Sequence, residues 1–93
     1  MIPTQILNDK LASNLADVLG FGEITGNESL MVHKNSGELK LASQDRVNHM
    51  VSNQGWIECV SADTLVNLLG VGETTDDGLV EGEKVANWMK SQN

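Results

Sequence analysis

Apolar residues fall along this chain in two rhythms, and the changes between them mark its elements. From Thr4 to Leu19 they are Ile6, Leu7, Leu11, Leu15, Val18 and Leu19, with Asn8, Asp9, Ser13, Asn14 and Asp17 largely opposite. Spacings of three and four predict an amphipathic helix over 4–19. Pro3 suits its first turn, where a missing N–H costs nothing. Gly20 stands where a left-handed cap is wanted, and Phe21 follows where a contact back onto the last turn is usual. From Glu28 to Ala42 the rhythm is two. Leu30, Val32, Leu39 and Leu41 alternate with Met31, His33, Glu38 and Lys40 around Asn35-Ser36-Gly37, which predicts a hairpin.

Ser43 offers an N-cap, with Asp45 in the first turn of a short helix whose apolar face is Val47, Met50 and Val51. Gly55 ends it, and Trp56–Val60 reads as a strand of the same sheet. Ser61 caps a third helix, with Val60 and Leu65 placed as a hydrophobic staple and Leu65, Val66, Leu68 and Leu69 as its buried side. After Gly70 comes an acidic, glycine-rich loop to Gly78. The last segment carries Val80, Val85, Trp88 and Met89 with Lys84 and Lys90 outward, a fourth helix weakened by Gly82. The expected architecture is α+β, in the order α-β-β-α-β-α-α. A small, mainly antiparallel sheet is covered on one face by about four short helices. At 93 residues the chain has room for one domain, residues 1–93, and one modest core.

Ala12–Thr25 and Ala62–Thr75 are alike at an offset of fifty: helix, glycine stop, apolar residue, Gly-Glu. Two helices closed by the same capping chemistry account for this, as does an ancestral duplication. The likeness describes architecture, not chemistry. Neither glycine pair is a phosphate loop, because each follows a helix, whose C-terminus carries the wrong partial charge, and each lacks the third glycine.

With 40% hydrophobic residues and only Phe21, Trp56 and Trp88 as aromatics, the core must be aliphatic, and the two tryptophans belong in it. Cys59 is the only cysteine, so no internal disulfide is expected. No apolar run approaches a membrane span, and the first residues carry no secretory pattern, so a cytoplasmic location is the default. His33, His49 and Cys59 are too far apart in sequence for a typical zinc site. Asp45 and His49, four apart, suggest a surface ion pair. Cys59 lies in the apolar run Trp56-Ile57-Glu58-Cys59-Val60, the setting of a small buried hydrophobe rather than a nucleophile. A calcium loop centred on Gly78 fails because Lys84 falls at the closing position. No cofactor, metal or catalytic set is expected, and the chain does not read as an enzyme.

Charge remains. Thirteen acids against six bases give a net charge of −7, which argues against binding nucleic acid directly and against anionic membranes. The excess is uneven. Asp63, Glu73, Asp76, Asp77, Glu81 and Glu83 fall in a stretch with no Lys or Arg. Asp63, Glu81 and Glu83 have a local use in first helical turns. Glu73, Asp76 and Asp77 do not, and clustered like charge opposes folding unless something offsets it. These six are the expected contact surface of a binding module: an adaptor, a chaperone-like protein or an inhibitor docking on a basic protein. One subclass is a nucleic-acid-mimicking inhibitor, of the kind mobile elements carry, whose partner would be a nucleic-acid-binding protein. The alternative is a self-associating structural component, a homo-oligomer joined through an exposed helix face around Trp88 and Met89.

Overall fold

A computed structural model describes residues 6–19, 26–70 and 78–92. They form α1 (Leu11–Leu19), β1 (Glu28–His33), β2 (Leu39–Ser43), α2 (Gln44–Asn53), β3 (Trp56–Val60), α3 (Ala62–Leu69) and α4 (Gly78–Ser91). The class is α+β in the expected order, and the strands make an antiparallel sheet arranged β2-β1-β3.

The first helix is shorter than its spacing predicts. Ile6 lies in a 3-10 turn and α1 begins only at Leu11. Asn8 explains the start: its Oδ1 accepts from Lys10 N–H at 2.9 Å and its carbonyl from Leu11 N–H at 3.1 Å. A short polar side chain that satisfies a first-turn amide favours a cap over helix interior. Pro3, Thr4 and the Gly20-Phe21 cap lie outside the described residues.

The hairpin pairs Leu30 with Leu41 and Val32 with Leu39. It closes through His33 N–H to the Glu38 carbonyl at 2.9 Å and Gly37 N–H to the His33 carbonyl at 3.0 Å. Gly37 has φ +74°, which a side chain would strain, and an added Cβ would press on Ile6 at 3.2 Å.

The sheet is covered on both faces, where one was expected. Leu30, Val32, Cys59 and Val60 face α1, α3 and α4 in the main core, which also holds Leu11, Leu15, Leu65, Val85 and Met89. Met31 points the other way, into a second cluster with Ala42, Val47, Met50 and Trp56 under α2. That makes β1 a central strand buried on both sides. Beside Met31, Ser29 is fully buried and its hydroxyl is met by the Gln44 amide at 3.3 Å.

Register along β1–β3 slips once. Leu30 pairs with Val60 and Met31 with Glu58, leaving Cys59 as an extra residue on β3. Such a bulge turns two successive residues to one face, and here it puts both Cys59 and Val60 in the main core.

Three local expectations change. Ser43 holds the extended N-cap backbone of α2, yet its Oγ donates to Asp45 Oδ1 at 2.6 Å instead of accepting a helix amide. His49 Nδ1 meets Asn53 Nδ2 at 3.2 Å, so the Asp45–His49 ion pair gives way to two nearer partnerships. Gly82 is not a weak point in α4. It is buried where α4 crosses α1, and a Cβ there would run into the Ala12 carbonyl oxygen and come within 3.2 Å of Ala16 N. A glycine that lets two backbones meet contributes packing no other residue can supply.

Candidate functional site

Capping chemistry positions the first acid. Ser61 sits in extended backbone ahead of α3 and its Oγ accepts from Thr64 N–H at 3.3 Å, with the Thr64 hydroxyl 2.9 Å away. Val60 and Leu65, the expected staple, are both buried in the main core. This fixes the first turn of α3 and leaves Asp63 exposed there, favourably placed for the helix dipole.

On α4, Glu81 is half-buried in the first turn and Glu83 is exposed. The buried face is set by Gly78, Gly82, Val85, Ala86 and Met89. At about 100° per residue, Glu81 and Glu83 leave the helix on opposite sides of that face, with Gly82 between them. They share an end of the helix but not a patch. Glu73, Asp76 and Asp77 lie outside the described residues.

Leu79 and Val80 add what charge alone did not predict. They are 53% and 46% exposed, and with Val51 of α2, 42% exposed, they are the large apolar side chains open to solvent among the described residues. By helical rotation Leu79 lies one turn before Glu83 on the same side of α4, and Val80 points directly away from the buried face, between Glu83 and the exposed Lys84. The sequence pattern assigned Val80 to the core. Conversely, Met89 is fully buried, and Trp88 packs half-buried against the main core.

Other chemistry is sparse. Cys59 is buried, its Sγ donating to the Leu30 carbonyl at 3.3 Å, and burial pushes its thiol up to about 12 from 9.0. A thiol held neutral and out of solvent is a poor nucleophile. Among the described residues no group of three or more His, Cys, Asp or Glu could hold a metal ion. No helix among them is long and apolar enough to cross a membrane. A half-open cleft of about 440 Å³ lies between residues 6–14 and the hairpin turn, with Ile6, Leu11 and Leu39 on its apolar side and Asn8, Asn14, Asn35 and Ser36 on its polar side.

No protein-family model, curated protein or solved structure matches this chain.

Proposed function

We propose that this chain is a small acidic protein-binding module, an adaptor, chaperone-like protein or inhibitor, that docks on a basic partner surface through α4's opening turns and the acids around them. One observation carries the reading: Leu79 and Val80 stand exposed in the opening turn of α4, with Leu79 one turn before Glu83 on the same side. Apolar side chains give a contact its desolvated centre, and a charged margin gives it direction and speed. Residues 47–83 hold seven carboxylates and no Lys or Arg, so a basic partner is the complementary choice. Because Glu81 points to the other side of α4, its share is long-range attraction rather than contact. A nucleic-acid-binding protein is one such partner, and a cytoplasmic setting agrees with a single reduced thiol.

The test begins with capture from the native host at low salt and elution at high salt, followed by titration of the purified partner. Two variants separate the contributions. One replaces Asp63, Glu73, Asp76, Asp77, Glu81 and Glu83 with Asn or Gln, and the other carries Leu79→Ser and Val80→Ser. Several marginal charges at a few tenths of a kcal/mol each predict at least about ten-fold weaker binding for the first variant. The second should bind more weakly at high and low salt alike. Unchanged affinity in the charge variant overturns the proposal. A mass that rises with protein concentration and ignores salt favours self-association instead.

A further inference from the structure

His33 ends β1 at the mouth of the hairpin turn, and its ring does two things. Nδ1 accepts from the backbone N–H of Asn35 at 3.2 Å and of Ser36 at 3.4 Å. The ring also packs edge-to-face with Trp56, centroids 5.2 Å apart, across the β1–β3 pair. Asn35 and Ser36 in turn line the cleft described above. An imidazole nitrogen accepts only while it carries no proton. Once it gains one, a donor faces two donors.

We infer that His33 is a proton-operated latch: neutral, its Nδ1 holds the Asn35 and Ser36 amides and sets the hairpin side of the cleft, and protonated, it releases them. Among the described residues, the ionisable groups of the turn and of this sheet face are Lys34 in the turn, Glu38 opposite His33 across the hairpin, and Lys40 and Glu58 along the face. Asp45, Arg46 and His49 belong to α2, which covers that face. The rest of the turn does not depend on the ring. Lys34 N–H donates to the Gly55 carbonyl at 2.9 Å and Gly37 N–H to the His33 carbonyl, so release loosens Asn35 and Ser36 without opening the hairpin.

The experiment is an NMR titration of the full chain, following the His33 ring nitrogens and the exchange protection of the Asn35 and Ser36 amides. While the ring is neutral, its proton should sit on Nε2. As His33 becomes protonated, protection at both amides should fall by about five-fold, the size of one net hydrogen bond. Trp56 fluorescence should drop in step as the charged ring quenches it. His33→Asn supplies an acceptor that does not titrate, in the Asx-turn position, and should keep the two amides protected throughout. A proton on Nδ1 of the neutral ring, or protection that does not follow the His33 titration, overturns the inference. So does a His33→Asn protein that keeps the wild-type pH dependence. If His33→Asn fails to fold, the wild-type titration decides alone.

Discussion

Replacing Gly82 with alanine sets two magnitudes against each other. Helix propensity favours the change: alanine in a helix interior is better than glycine by about 0.8–1 kcal/mol. Packing opposes it. The new methyl would run into the Ala12 carbonyl oxygen and crowd the Ala12 carbonyl carbon and Ala16 N at 3.2 Å. Those are backbone atoms of α1, which no rotamer change can move aside. The helices must separate, and α1 and α4 pack on each other more extensively than any other two elements. Moving them apart thins the contacts of Leu11, Leu15, Val85 and Met89, all 0–1% exposed. Overpacking a tight core costs about 1–3 kcal/mol, and a backbone clash belongs at the upper end. The net is a destabilisation of about 2 kcal/mol, or roughly 8–16 °C in Tm for a domain of this size. Urea and thermal unfolding followed by circular dichroism measure it, with exposed Asn87→Ala in the same helix as the propensity control. If Gly82→Ala is as stable as the parent or more so, the close crossing is wrong and propensity alone governs the position.

Two further outcomes follow from local chemistry. Ser61→Ala removes the oxygen that accepts Thr64 N–H and should cost about 1 kcal/mol in urea unfolding, since an alanine cap leaves that amide unmet; no change would show that water substitutes fully. For Cys59, burial raises the folded thiol to about 12 from 9.0, so the folded state holds its proton more tightly than the unfolded state does. Its contribution to stability is complete below pH 9.0 and is lost as pH rises toward about 12, at roughly 1.4 kcal/mol per pH unit at most. Cys59→Ala should lack this slope, so the two stability curves converge above about pH 9; parallel curves would refute it.

Much of this architecture is legible in the residues because local signals and tertiary packing agree. Ser43 and Ser61 stand where helices begin, and Trp56–Val60 is a strand from end to end. Where the reading fails, two signals compete. The period-two pattern assigns Met31 outward, although it is apolar and α2's Val47 and Met50 need a surface to cover; weighing that demand points to a sheet buried on both sides. Successive apolar residues at Cys59 and Val60 break the alternation, which is how a bulge looks in sequence. Gly78, Gly82 and Ala86 recur at four-residue spacing, the pattern of a close helix crossing, but each alone reads as poor propensity. For the candidate site, net charge shows that acids gather and not how they point. The angle between Glu81 and Glu83 follows from their spacing alone. The exposure of Leu79 and Val80 depends on which face of α4 meets α1, and that only tertiary packing decides.

The two-sided burial of β1 also divides the molecule by stability. Among the described residues, the cluster under α2 holds five buried residues, while thirteen make up the core on the other face. Local opening follows the number of apolar contacts broken, so α2 is expected to detach first, leaving the larger half intact. Each half contains one of the chain's two tryptophans: Trp56 belongs to the α2 cluster and Trp88 packs against the main core. The protein therefore carries a separate optical reporter for each half, and the order in which they change during unfolding reads out the order in which the halves let go.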